Sequence, residues 1–391
     1  MSRPRRHQAA IIEDLGKKMV FVGGPRQVGK TTMAKQILDA SGGGLYLSWD
    51  RRADRDTIRQ ARWPAESTVV VLDELHKWRG WKHWLKGEFD ANRERLRFLV
   101  TGSARLDVFR RGSDSLQGRY HHWRLHPFTL GEVEHPDSTR TPEPGQQLPL
   151  DTPGSQETID ALMTFGGFPE PFLAGSERVL RRWHKERLER FFREDVRDLE
   201  SLRDFSSLEL LADMIPGRVG SLLSLNSLRE DLDVSHTAVS HWIDFLDRLY
   251  FVFLVRPYAA RSVRSLKKMP KAYLWDSSLV NDRGARFENL VGLHLLTLCH
   301  GLEDQEGHKV ELRYLRDTTG REVDFLVTWK GKPWFAVEAK LSDRDFQPSL
   351  AYFRARLGIP FCYQVVLDGT ADYLKDGIRC VPAARFFAAL P

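Results

Sequence analysis

The sequence predicts an α/β protein of more than one domain: a parallel sheet at the N-terminus, a helical middle and a second α/β domain at the C-terminus. Three observations predict it. Short apolar runs at 19–22, 69–72 and 98–100 are separated by stretches of helical character, the pattern of a parallel sheet with crossover helices. A glycine-rich loop at 24–31 joins the first run to a helix. After residue 270 a helical stretch is followed by strand-like runs near 311–316, 322–328 and 334–340, a helix near 346–357 and a strand near 361–367.

Met19-Val20-Phe21-Val22 ends in Gly23-Gly24 and reads as a buried strand, and Thr31 to Leu38 as the following helix. Val69-Val70-Val71-Leu72 is the second strand, Trp81 to Asn92 a helix, and Phe98-Leu99-Val100 the third strand, ending at Thr101-Gly102-Ser103. Five prolines between 134 and 156 mark a loop or linker. Helical patterns fill 157–213, where Leu180, Trp183, Leu188, Phe191, Phe192, Val196 and Leu199 space out one apolar stripe in a charged stretch. Residues 222–258 suit a compact helix-turn-helix followed by a strand pair. The expected domains are 1–133, the linker 134–156, a helical segment 157–215, a winged-helix segment 216–260, and 261–391.

At 391 residues the chain has room for two or three domains. The 59 Lys and Arg against 53 Asp and Glu leave a formal charge of +6, which permits a nucleic-acid partner without requiring one. Cys299, Cys362 and Cys380 form no CxxC pair, so neither a disulfide framework nor a zinc site is expected. No apolar run reaches the roughly 18 residues of a membrane span, and the basic start, Arg3 to Arg6, precedes no signal-like apolar stretch. A cytoplasmic location, without a membrane partner, is the expectation.

Gly24-Pro25-Arg26-Gln27-Val28-Gly29-Lys30-Thr31 fits G-x-x-x-x-G-K-[ST] in full, between a strand and a helix. This is the phosphate loop of P-loop NTPases. Its backbone N–H groups curl around phosphate oxygens, aided by the helix N-terminus. Gly24, Arg26, Gln27, Val28, Gly29, Lys30, Thr31 and Thr32 are the expected ATP-binding residues. Lys30 is to reach the β- and γ-phosphates, and Thr31 is to ligate Mg²⁺. Asp73 and Glu74 end the second strand: Asp73 is to hold Mg²⁺ through water, and Glu74 to polarise the attacking water. Thr101 or Ser103 can sense the γ-phosphate. Arg105, Arg110, Arg111 and Arg119 are candidates for an arginine acting on a neighbouring subunit, which would need a homo-oligomer. Trp78, Trp81 and Trp84 suit packing better than base stacking.

In the middle segment, Ser227 to Leu232 forms a first short helix, Asp233-Val234 the turn, and Ser235 caps a second helix running to about Arg248. Its early face, His236, Thr237 and Ser240, would enter a DNA groove, but offers no Arg or Lys for a bidentate guanine contact. DNA and a protein partner both stay open. Further on, Asp324 lies on the face of its strand opposite Val323 and Phe325. After a turn, Glu338 and Lys340 share a face of the next strand. The spacing matches the D…ExK core of restriction-type nucleases. Asp324 and Glu338 can hold Mg²⁺, Lys340 can position water, and Glu288 on the preceding helix can complete the site. The competing reading leaves these carboxylates in salt bridges with Arg321 or Arg344.

The phosphate loop through Thr32, Leu72-Asp73-Glu74, Thr101-Gly102-Ser103, Gly118-Arg119-Tyr120, Leu125-His126-Pro127-Phe128, Arg256-Pro257-Tyr258, Phe287-Glu288-Asn289-Leu290 and Glu322-Val323-Asp324-Phe325 occur in this order. In them the chain resembles the predicted AAA+-type ATPases of bacteria and archaea that carry a C-terminal DUF4143 domain. The resemblance implies an N-terminal AAA ATPase domain, a winged-helix segment and a restriction-endonuclease-like C-terminal domain. Two functions follow as expectations. One is a Mg-dependent ATPase coupled to a DNA-facing module that cuts or grips DNA. The other is a nucleotide-switched regulator with an inert nuclease-like domain.

Overall fold

The computed structural model describes residues 3–102, 116–138, 140–196, 204–258, 269–343 and 348–391. They fall into two compact units. The first runs as far as His126 and includes Pro136–Ser138 and Arg248–Tyr250; the second holds the rest.

The first unit is built on a five-stranded parallel sheet of β1 (Met19–Gly23), β2 (Leu45–Ser48), β3 (Val69–Asp73), β4 (Arg97–Thr101) and β5 (Tyr120–Arg124), in the order β2-β3-β4-β1-β5. The runs of Val, Leu and Phe make β1 and β3 wholly buried, as a strand covered on both faces requires. One face, with Phe21, Val70, Leu72 and Phe98, packs on Trp81 and Leu85 of the helix Trp81–Asn92; Trp63, Trp78 and Trp84 close the layer. These tryptophans pack, as expected. The helix Lys30–Ala40 buries Met33, Ala34 and Ile37. Two strands escape the sequence reading. β5, with His121, His122 and Arg124, has no apolar run, and β2 is only four residues long.

The order matters for the site. All five strands point the same way, so loops after β1, β3 and β4 emerge at one edge. The chain leaves β1 toward β2 on one side and returns to β5 on the other, making β1 the switch point where ligands of open α/β sheets bind.

The second unit carries an eight-stranded mixed sheet of β6 (Val252–Pro257), β7 (Lys271–Leu274), β8 (Val310–Arg316), β9 (Glu322–Trp329), β10 (Lys332–Lys340), β11 (Phe361–Val366), β12 (Tyr373–Lys375) and β13 (Ile378–Pro382), ordered β12-β13-β11-β10-β9-β8-β6-β7. The 24-residue helix Arg283–Glu306 lies against it; Asp282 caps its N-terminus by accepting from the Ala285 N–H, and Gly307 ends it in the left-handed conformation. Before the sheet come helices that include Glu177–Arg190, where Leu180 and Trp183 are buried, followed by a wider π-type turn beginning with the buried Phe191 and Phe192. Leu199 lies outside the described residues.

The expected helix-turn-helix forms from Leu225–Leu232 and His236–Arg248. Asp233 takes a left-handed φ of 52° at the turn, and Ser235 Oγ accepts from the Ala238 N–H at 3.1 Å. One segment differs from expectation. The strand after the second helix is no local wing: it pairs with β7 and β8 in the eight-stranded sheet. The proline-rich stretch is a packed loop. Leu148 and Leu150 are buried, the Leu148 N–H donates to Tyr363 Oη at 3.1 Å, and Trp334 Nε1 donates to the Gln146 carbonyl at 2.7 Å. Leucines among the prolines supply the apolar surface that holds it down. No helix among the described residues is long and apolar enough to cross a membrane.

Candidate functional site

The loop after β1 approaches the loop after β5 so closely that a Cβ on Gly24, at φ +142°, would lie 2.4 Å from the Leu125 carbonyl oxygen. Only glycine fits there. Gly29, at φ +100°, opens the helix Lys30–Ala40, whose N-terminal end therefore faces the loop. Lys30 is buried, and its Nζ donates to the carbonyls of Gly24 at 2.9 Å and Pro25 at 2.7 Å. Arg26, Gln27 and Val28 form the turn between, with Gln27 at φ 65°; Thr31 and Thr32 are exposed at its helical end. Arg5 fixes the loop from behind: its guanidinium donates to the Val28 carbonyl at 2.7 Å and the His126 carbonyl at 2.5 Å.

Asp73 is the centre of the site. Its carboxylate is buried and accepts from three hydroxyls: Thr31 Oγ1 at 2.9 Å, Tyr46 Oη at 2.6 Å and Thr101 Oγ1 at 2.5 Å. Thr101 stands directly across from Asp73 in the β3–β4 register, which is why a threonine on β4 can reach it. Hard oxygen donors in this setting suit Mg²⁺, with Thr31 and Asp73 as the residues that would hold it. Glu74 follows at φ 58°, and its N–H donates to the Thr101 carbonyl at 2.9 Å. Burial raises the pKa of its carboxyl, while Lys77, Lys30 and Arg26 oppose the rise. Lys77 lies 3.3 Å from Glu74 Oε2 and 2.7 Å from Asp50.

Lys30, Thr31, Asp73, Glu74 and Thr101 thus share one edge of the sheet. Arg119 does not join them. It precedes β5 at the opposite edge, where it pairs with Asp90 at 2.8 Å and lines a cavity of about 790 Å³ with Lys18, Arg95 and Arg97. Ser103, Arg105, Arg110 and Arg111 lie outside the described residues. Tyr46 and Arg5 are the residues that the sequence did not reveal.

The C-terminal carboxylates do come together. The Ala339 N–H donates to Asp324 Oδ2 at 3.0 Å, the Asp324 N–H to Glu338 Oε2 at 3.3 Å, and Lys340 Nζ sits 3.0 Å from Glu338 Oε1. Glu288 accepts from Tyr273 Oη at 2.7 Å and Lys271 Nζ at 3.1 Å. Burial, then the charge of Asp324, pushes Glu288 and Glu338 above the usual carboxylate range. Arg321 pairs with Asp317 rather than with these groups, and Arg344 lies outside the described residues. Among the described residues no three His, Cys, Asp or Glu side chains are arranged to hold a metal ion. With ammonium and amide donors on its oxygens, this cluster does not fit the Mg²⁺ expected between Asp324 and Glu338.

A phosphate loop after β1, an aspartate ending β3 and a threonine on the strand between them define an AAA-type P-loop ATPase fold. Residues 16–134 match the family model described as an AAA domain, residues 156–287 a domain of unknown function (DUF8612) and residues 283–386 a domain of unknown function (DUF4143). The chain is therefore similar to an AAA domain at its N-terminal end and to a DUF4143 domain at its C-terminal end. It is 24% identical over 335 residues to an uncharacterized protein of Mycobacterium tuberculosis, covering 81% of this chain and 69% of the relative. An uncharacterized protein of Methanocaldococcus jannaschii is 22% identical over 364 residues, 88% of this chain and 80% of that one. Among solved structures, the Aeropyrum pernix ORC1 protein in complex with DNA matches with a TM-score of 0.33 and 16% identity over 74% of this chain and 92% of that one. The Thermotoga maritima RuvB Holliday junction branch migration motor matches at 0.28 and 17%, over 63% and 86%.

Proposed function

We propose that this protein is a Mg²⁺-dependent ATPase whose nucleotide cycle acts on a DNA-facing second unit. The observation that carries the reading is the convergence of Thr31, Tyr46 and Thr101 on the Asp73 carboxylate beside the phosphate loop. When bound, Mg²⁺ supplies charge neutralisation to the triphosphate. Lys30 and the loop amides hold the phosphates, Thr31 and Asp73 hold the cation, and Glu74 takes the proton of the attacking water. Thr101 and Tyr46 keep Asp73 in place. Arg119, at the far edge of its own sheet, serves a neighbouring copy's nucleotide in a homo-oligomer. The cytoplasm is the proposed location.

The helix pair Leu225–Leu232 and His236–Arg248 supports DNA as the partner, with His236 and Thr237 exposed at the start of the second helix. With no Arg or Lys on that face, binding rests on backbone contacts more than on base reading. The ATPase reading is tested by Mg²⁺-dependent ATP turnover of the native chain, Lys30→Ala and Glu74→Gln. A loss of about 10²-fold or more is expected in both variants, and equal rates in all three contradict hydrolysis at this site. DNA contact is tested by duplex affinity against salt: affinity falls steeply as salt rises if phosphates are contacted, and a flat response favours a protein partner instead.

A further inference from the structure

Lys271, at the start of β7, is only 1% exposed at its side chain, yet three carboxylates surround its amine. Its Nζ lies 2.6 Å from Glu322 Oε1, 3.1 Å from Glu288 Oε1 and 3.6 Å from Asp324 Oδ1. We propose that Lys271 is the resident cation of the C-terminal carboxylate cluster: its ammonium takes the place between Glu288 and Asp324 that a divalent metal would need, leaving nuclease-type carboxylates closed to metal.

The charges support it. The four carboxylates of Glu288, Glu322, Asp324 and Glu338 face Lys271, Lys340 and Arg316, the last paired with Glu322. A dication bound to these oxygens, at roughly 2.0–2.6 Å from each, would sit against an ammonium of like sign with little water to screen it. Several of the oxygens are also engaged. Asp324 and Glu338 each accept from a backbone amide, and Glu288 Oε1 accepts from both Tyr273 and Lys271.

The backbone around the lysine is pinned. Its strand pairs with β6, its backbone bridges Leu222, and the Leu223 N–H donates to the Pro270 carbonyl at 2.8 Å. Gly220, in the same covering segment, stands so close that a Cβ there would come within 2.8 Å of Glu288 Oε2. Burial works against the charged form, but Asp324, Glu288 and Glu322 together hold Lys271 protonated. Lys340, the lysine of the ExK pattern, is by contrast 32% exposed.

The test titrates Mn²⁺ into the full nucleotide-free chain and follows free Mn²⁺ by electron paramagnetic resonance. The native chain and Asp324→Asn are expected to bind Mn²⁺ alike, within about twofold. Lys271→Met is expected to gain a Mn²⁺ site about tenfold or more tighter than any in the native chain, and the double variant with Asp324→Asn to lose it. Native Mn²⁺ binding that Asp324→Asn weakens about tenfold overturns the proposal, as does a folded Lys271→Met with no Asp324-dependent site. If Lys271→Met does not fold, the native chain against Asp324→Asn decides alone.

Discussion

Asp73 shows how one carboxylate organises the nucleotide site. Three hydroxyls from three elements end on it, so each should matter to turnover more than to folding. Removing the Tyr46 hydroxyl leaves Asp73 Oδ2 with Thr31 alone. A hydrogen bond to a charged group contributes about 1.5–3 kcal/mol, so Tyr46→Phe is expected to lower ATP turnover by about tenfold while the melting temperature moves little. Steady-state turnover and a thermal melt check it together; unchanged turnover would remove Tyr46 from the site. Lys30, Asp73 and Glu74 were legible in the sequence because a phosphate loop and a strand ending in two acids are local patterns. Tyr46, Arg5 and Lys271 were not, because their partners lie at remote sequence positions. Lys271 left one trace, a lysine opening the apolar run Ala272-Tyr273-Leu274-Trp275.

Elements show the same division. β1, β3 and β4 were readable as β-branched runs, whereas β5, without an apolar run, and the four-residue β2 take their strand form from neighbours. The helix Arg283–Glu306 reaches 24 residues because it stays apolar on its inner side as far as Leu302. It also carries a pH dependence. His294 Nε2 accepts from the Leu130 N–H at 3.1 Å, its Nδ1 bonds the Leu290 carbonyl at 2.8 Å, and its ring stacks on Phe387. That geometry needs the neutral ring, and burial holds its pKa down to about 4 from 6.5. The unfolded chain therefore takes up this proton first as pH falls. The contribution is complete above about 6.5, lost as pH drops toward 4 and flat below, a change of about 3 kcal/mol. Urea midpoints at pH 7 and 4.5 should separate the native chain from His294→Gln, in which this part of the slope disappears. The covering segment gives a second contrast. Gly220→Ala meets Glu288 at a φ of +77°, while a Cβ on Gly217 meets nothing within 4 Å. Left-handed backbone alone costs an L-residue about 1–2 kcal/mol, so Gly220→Ala should melt several degrees below Gly217→Ala. Equal melting would mean that the segment does not press on Glu288.

For the whole molecule, the sequence order of motifs was enough to name an AAA domain and a DUF4143 domain, and their sheets follow that division. What the sequence could not show is that the nuclease-type spacing, though assembled in space, is filled by a lysine. The far-edge position of Arg119 gives a prediction about assembly: Arg119→Ala and Lys30→Ala, each poor alone, should regain measurable turnover when mixed, since one supplies the loop and the other the arginine. No gain on mixing would confine hydrolysis to single chains. Hydrolysis at the loop and the acidic strand end is decided by a single-turnover measurement with labelled ATP and Mg²⁺. Glu74→Gln should hold ATP and cleave it about 10²-fold or more slowly than the native chain, and Lys30→Ala should retain little nucleotide. Cleavage by Glu74→Gln at the native rate would exclude Glu74 as the base of hydrolysis.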